Sequence, residues 1–483
     1  MNTVEPTIDE GRSNPLNDLM KWVSGINPSV FMFLAAILAI IFANTGLLGI
    51  YSSILDAPVN LEIGGYKFFQ HHDRAMTLAE FVNDGLMVLF FFSVGLEIKR
   101  EMVDGSLSSF RKAMLPVIAA VGGMIMPVLI FLMVENQDPV ALRGMAIPMA
   151  TDIAFALAVL GLLGKRVPVT LKLFLMALAV VDDIGGILVI AIFYSAGIQW
   201  TPLLLGLLTL ALSLYFSRKG VAKSGVYYIL LFIVWTLFMH SGIHSTIAGV
   251  LLALTIPHKP TLRPDELEPD MRKIDYRIAT AKEPGYEQKD FLDDDYLEDL
   301  RRAQSRIHRT ISPVQCMEHE VNPLVQYFVL PLFAFSNAGI NFSGMGESSL
   351  FAVAIAVAAA LFFGKLLGIF GFTYIFTKLK VVKMTPGMTY GNVFGISMLG
   401  GIGFTVSLFI ASLAFIGVGD LGVEYLNMAK LGIIIGTLVS GIIGVLVLNA
   451  ILKKEEQKGL GVSSQEYKDY MQQFKNSNTY SEE

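Results

Sequence analysis

Apolar runs about as long as a bilayer core is thick recur along this chain, and nothing constrains its fold more. A core about 30 Å thick takes roughly twenty helical residues to cross. About twelve stretches qualify, near 29–50, 80–97, 113–134, 144–163, 171–196, 201–216, 224–240, 243–256, 323–342, 350–376, 389–415 and 426–451. In hydrocarbon each backbone polar group must be satisfied within the chain, so runs this long and uniformly apolar span as helices. The expected architecture is an all-α polytopic membrane protein with about twelve transmembrane helices. Composition agrees, with 54% hydrophobic and 16% charged residues, where a soluble domain carries about a quarter charged. A single cysteine, Cys316, excludes an intrachain disulfide framework and a multi-cysteine metal cluster. The net charge of −5 is spread between lipid-buried spans and a polar insertion, so it says little about nucleic acid or acidic partners; the apolar spans make the lipid bilayer the expected partner, with no nucleic acid.

The loops orient the chain. Lys99, Arg100, Arg111 and Lys112, then Lys165, Arg166 and Lys172, then Arg218, Lys219 and Lys223, then Lys378, Lys380 and Lys383 fall in alternate connections. The intervening connections carry little beyond Lys67, Arg74 and Arg143. The positive-inside rule then puts both termini in the cytoplasm. The expected order is a polar N-terminal segment at 1–28 without the apolar core of a cleavable signal, helices 1–8 over 29–257, a cytoplasmic insertion at 258–322, helices 9–12 over 323–452, and a polar tail at 453–483. Within the first block, 51–79 reads as a small external hairpin around Gly64-Gly65, either a structural cover or a homodimer interface. The insertion places Asp290, Asp293, Asp294, Asp295, Glu298 and Asp299 before Arg301, Arg302, Arg306 and Arg309. Acids first and bases last suit the dipole of one helix.

Against this apolar background Asp182 and Asp183 are the only charged residues between Leu173 and Ser217. At mid-helix such a pair costs roughly 5 to 7 kcal/mol before any partner is counted, and the default reading of intramembrane ionisable residues is an ion or proton site. Two other spans look interrupted. Pro148, Thr151 and Asp152 break the run at 144–163, and Gly395, Gly400, Gly401, Gly403 and Thr405 crowd the run at 389–415. Irregular backbone at membrane depth is tolerated only where it lines a cavity or is buried in protein. A break leaves free N–H groups on one half-helix and free carbonyls on the other, and Asp152 is placed to balance the N–H end. Interruptions at corresponding positions of two halves point to a transporter site built from inverted-topology repeats, the broken helices crossing near the membrane midplane.

Longer motifs carry a resemblance. Asn83-Asp84-Gly85-Leu86-Met87, Val94 to Glu101, Ala150 to Leu157, Phe174 to Gly185, Leu332 to Gly339 and Gly401 to Ser407 are together similar to the NhaA-type Na⁺/H⁺ antiporters, themselves a standard example of inverted repeats. The likeness runs over roughly residues 28 to 450, the insertion excepted. It implies electrogenic export of Na⁺, with Li⁺ as a companion substrate, in exchange for H⁺ at the bacterial inner membrane, with pH regulation and no cofactor. It also implies that Asp183 binds the ion and Asp182 assists, while Thr151 and backbone carbonyls complete the shell. Chemistry fits that division. Sodium is a hard cation that prefers oxygen, and a carboxylate binds either such an ion or a proton.

Lys365, the only charge in the tenth stretch, matches a family lysine that pairs with the first aspartate. It reads as a counter-ion in the inward-open resting state, with proton carriage and support of the broken region as alternatives. The resemblance assigns pH control to Glu97, Arg100, Glu101, Glu318 and His319 at the cytoplasmic rim, and to His244. A plain surface ion-pair network competes for the first five, and a hydrogen-bonded structural histidine for His244. The sequence departs from the family pattern at Asn322, where a second histidine is expected. Two rivals are weak. An intramembrane aspartyl protease is suggested by Gly417-Val418-Gly419-Asp420, but Asp420 falls in an external loop. A cation channel needs no carboxylates that titrate in step with ion release.

Overall fold

The structure is a computed structural model that describes residues 26–479 apart from 61, 64–65, 68, 72–73, 136–137, 195–196, 282–292, 343–349 and 417. Asp290, Gly64-Gly65 and Gly417 therefore lie outside the described residues. Six helices are each long and apolar enough to cross a membrane, among them Leu78–Val103, Phe110–Val134, Val169–Phe193 and Phe351–Lys378. Three more spans qualify if helix pairs are joined across bends: Pro28–Asn44 with Leu48–Leu55 at 117°, Ala141–Met149 with Ile153–Gly161 at 46°, and Tyr390–Leu399 with Phe404–Ala414 at 48°. Length and composition thus support six to nine spans among the described residues, fewer than the apolar stretches in the sequence.

The shortfall has local causes. Ser224–Met239 and Ile247–Thr255 are short helices, separated at Gly242, which takes φ 81°. Pro323 and Pro331 lie where Pro313–Leu324, a π-helical turn at Val325–Val329 and Leu330–Asn337 succeed one another. Proline removes a helical donor, yet this run stays helical from Pro313 to Asn337 by widening into the π turn rather than breaking.

The polar connections are more structured than an alternating pattern conveys. Residues 51–55 of the expected hairpin continue the helix Leu48–Leu55. Beyond it, Glu62–Ile63 pairs antiparallel with Tyr66–Lys67, and Arg74–Thr77 lies between Pro58–Val59 and Gln70–His71. In the insertion, Glu268–Ala281 packs beside Asp294–Thr310. Ion pairs Arg306–Asp270 at 2.9 Å and Arg277–Asp299 at 3.2 Å join them. Asp294 and Asp295 occupy the first turn of the second helix, His308 and Arg309 its last, the order its macrodipole favours. The last long helix, Asp420–Gln457, outruns the apolar stretch. The chain turns through Gly459 and Gly461, both at positive φ, into a further helix, Gln465–Thr479.

Backbones approach most closely where Phe110–Val134 meets Phe351–Lys378. A Cβ on Gly368 would lie 2.1 Å from the Gly122 carbonyl oxygen, and one on Gly364 would lie 2.5 Å from Pro127 Cα. Neither neighbour is a flexible side chain, so the helices would have to part. Gly368→Ala is expected to destabilise the protein by about 1 to 3 kcal/mol, the usual cost of overpacking. Thermal unfolding in detergent checks this, and an unchanged midpoint would refute it. This seam carries Lys365 into the interior.

Candidate functional site

Two chain breaks meet at the centre. The backbone leaves the helical region at Ala150 and Asp152, while Tyr390–Leu399 gives way to Phe404–Ala414 across Gly400 to Gly403. The breaks bond to each other. Asp152 N–H donates to the Ile402 carbonyl at 2.7 Å, and the Thr151 hydroxyl lies 2.9 Å from the Gly400 carbonyl. Glycine is required here for space: a Cβ on Gly401 would sit 2.4 Å from both the Leu361 carbonyl and Ser440 Oγ, and one on Gly403 would sit 2.3 Å from Ser407 Oγ.

Asp152 closes the starts of both second halves. Its Oδ1 accepts from Phe155 N–H at 3.0 Å as the N-cap of Ile153–Gly161. Its Oδ2 accepts from Thr405 N–H at 3.1 Å and from the Thr405 hydroxyl at 2.6 Å, at the start of Phe404–Ala414. Each helix start exposes orphan N–H groups and a partial positive charge, and one carboxylate serves both. Ser407, whose hydroxyl donates to the Ile147 carbonyl at 2.8 Å, ties the crossing from the other side. Sequence reasoning did not single it out, although it ends one of the motifs that carry the resemblance.

Beside this crossing runs the unbroken helix Val169–Phe193. Adjacent residues on a helix face different sides, and the two aspartates divide accordingly. Asp182 Oδ2 accepts from Lys365 Nζ at 2.6 Å, with both side chains fully buried. The Thr151 hydroxyl lies 2.8 Å from the same oxygen, so its single proton is offered to Asp182 or to Gly400. Asp183 is 6% exposed, and its Oδ1 has no hydrogen-bond partner among the described residues; nor has Asp182 Oδ1. Thr151 thus stands with Asp182 rather than between the two acids, and Lys365 contacts Asp182 directly. Among the described residues no group of three or more His, Cys, Asp or Glu is arranged to hold a metal.

The candidates for pH control separate into two places. At one end of Leu78–Val103, Arg100 pairs with Glu318 at 2.5 Å and lies 3.8 Å from Glu101. Glu101 also accepts from Ser106 N–H at 2.7 Å, closing the turn after the helix. Glu97 is half-buried on the same helix, and His319 is exposed beside Glu318. One turn further along, Asn322 accepts from the Ser93 hydroxyl, so the departure from the family pattern is used as a contact between these two helices. His244 sits elsewhere: its Nδ1 is 2.8 Å from the Thr246 hydroxyl, and its Nε2 is 3.7 Å from Asp84. Burial raises the Glu318 carboxyl above its ordinary range, with Arg100 opposing the shift. The folded protein then holds a proton at Glu318 more tightly than the unfolded chain does. The contribution of this group to stability therefore falls as pH climbs from the ordinary carboxylate range to the raised value. Glu318→Gln is expected to flatten the pH dependence of the melting temperature over that interval, and an unaltered slope would count against this assignment.

Helices passing through a membrane around a buried lysine and carboxyl pair, set against two bonded chain breaks, define a multi-pass helical membrane protein with a charged centre. The chain belongs to the family described as Na⁺/H⁺ antiporter 1, whose sequence model matches residues 23–448. Among relatives named Na⁺/H⁺ antiporter NhaA, that of Parabacteroides distasonis is 48% identical over 430 residues, covering 89% of this chain and 95% of its own. That of Porphyromonas gingivalis is 47% identical over 437 residues, with the same coverage. That of Pseudomonas putida is 41% identical over 416 residues, covering 86% and 92%. The family is one of transporters rather than enzymes, which leaves the protease reading without support.

Proposed function

We propose that the protein exports Na⁺, and Li⁺, across the bacterial inner membrane in exchange for H⁺, using Asp182 and Asp183 as the shared site. The observation that carries this reading is the buried Lys365–Asp182 pair at 2.6 Å beside Asp183, whose Oδ1 has no partner among the described residues. An unpaired carboxylate in this setting is expensive, so it is either protonated or close to a cation. A hard cation approaching both acids competes with the Lys365 ammonium for Asp182. Desolvation and like-charge proximity both oppose a doubly ionised pair without it. Entry of Na⁺ therefore displaces protons, and its departure lets them return. Two proton equivalents for one Na⁺, shared among the coupled carboxyl groups and Lys365, would make each cycle electrogenic.

In this reading the chain crosses the membrane about twelve times with both termini in the cytoplasm, and the pairs bent by 46° and 48° are the discontinuous helices of inverted repeats. The Arg100–Glu318 contact and its neighbours supply pH control, and the small sheets at 58–77 supply a homodimer contact. Support comes from the family relationship, from the alternation of basic connections, and from the crossing itself.

Everted vesicles carrying the native chain test the exchange. Addition of Na⁺ or Li⁺ should dissipate a preformed pH gradient, faster under a membrane potential of the driving sign, and K⁺ should not. A response to K⁺ alone would remove the proposed selectivity, and no response to any of the three would remove the exchange.

A further inference from the structure

Residues beyond the matched family region hold the far ends of two helices that converge on the site. The helix Val169–Phe193 starts after Pro168 without a side-chain cap. Its first N–H, at Val169, instead donates to the Tyr467 hydroxyl at 3.0 Å. Thr170 donates to the Pro386 carbonyl at 2.9 Å, tying the same end to the loop before Tyr390–Leu399. That second helix is closed by a reciprocal cap between Thr389 and Asn392, and Glu455 completes it. The Glu455 carboxylate accepts from the Thr389 hydroxyl and, at 3.3 Å, from the Asn392 amide.

The fit is shaped on both sides. Gly387 has φ 85°, and a Cβ there would lie 2.5 Å from the Tyr467 ring. Tyr467 and Glu455 are each 8% exposed, and Leu452 is 4%, values unlike those of a solvated tail. Gly461 at φ 60° and a bond from Tyr467 N–H to Ser464 Oγ at 3.2 Å present the ring to its slot.

We infer that the C-terminal segment is a latch, with Tyr467 and Glu455 as positioning residues for ion exchange; this rests on the function proposed above. The reasoning is mechanical. Asp182 lies about 20 Å along an unbroken helix from Val169, and Gly400 about 16 Å from Thr389, at 1.5 Å per residue. Thr151 lies within hydrogen-bond distance of both Asp182 and the Gly400 carbonyl. Fixing the outer ends of both rods with one segment sets the spacing of their inner ends, where oxygens must converge on an ion. Positions off by half an ångström cost a binding site much of its affinity.

The test uses the full-length chain carrying Tyr467→Ala or Tyr467→Phe. In purified protein, amide hydrogen exchange at residues 169–172 should quicken at least tenfold in Tyr467→Ala, with Tyr467→Phe between it and the native chain. In everted vesicles the Na⁺ concentration for half-maximal proton flux should rise three- to tenfold in Tyr467→Ala, and less in Tyr467→Phe, with maximal flux within twofold. Protection of 169–172 unchanged in both variants would overturn the latch, as would an unshifted half-maximal concentration alongside faster amide exchange. If Tyr467→Ala does not accumulate, Tyr467→Phe alone decides by the same two readings. A native chain without Na⁺-driven flux would sink the proposed function instead, and the amide measurement would still decide whether the latch exists.

Discussion

Asp183→Asn is expected to lower Na⁺- and Li⁺-driven proton flux in everted vesicles at least a hundredfold while leaving the protein folded. Asparagine matches aspartate in shape but cannot take up and release a proton, and it offers a cation a neutral amide oxygen in place of a charge. The side chain is buried and its Oδ1 meets no donor among the described residues, so the substitution removes no hydrogen bond at that oxygen. It removes a desolvated acid, and stability should hold or rise. The paired measurement is flux against melting temperature in detergent. Residual flux above about a tenth of native would contradict the assignment of Asp183 as the exchanged carboxyl, and a collapse of the melting temperature would assign it to folding instead.

Lys365→Ala is expected to have the largest effect on stability, about 3 to 5 kcal/mol, because truncating one member of a buried pair strands the other's charge. Here the stranded partner is Asp182, left with Thr151 alone on Oδ2. Adding Asp182→Asn to Lys365→Ala should return much of the loss, since a neutral pair needs no counter-charge. Denaturant titration of the native chain, both single variants and the double variant would give the coupling. Losses that simply add would show that the 2.6 Å contact carries no coupling, and would remove the ion pair from the mechanism. Flux should be absent in the double variant even where its stability recovers, which separates the structural use of the pair from its use in exchange.

Much of the centre was legible from residue types. Asp182, Asp183 and Lys365 stood out because hydrocarbon makes any charge conspicuous, and Asp152 because it follows Pro148 within an apolar run. Glycine density at 400–403 announced a break, since close backbone approach and loss of helix leave a compositional trace. Partner choice was not legible. Nothing in the local sequence says that Thr151 bonds to Asp182, or that Asp152 caps a helix starting some 250 residues later, because such contacts depend on how distant segments pack. Helix lengths were overread for a related reason: hydropathy registers apolar character through Gly242, where the backbone divides. The polar ends were underread. Tyr467 sits in a stretch that looks like solvated tail, and its contact with Val169 leaves no periodic signature.

The shared closure by Asp152 has a consequence for motion. Neither second half-helix can swing away from the other without stripping the Thr405 amide hydrogen and hydroxyl of their acceptor in a dry interior. The two arms are bound to travel as one casting, and whatever exposes the acids to opposite faces of the bilayer must carry the whole knot rather than untie it.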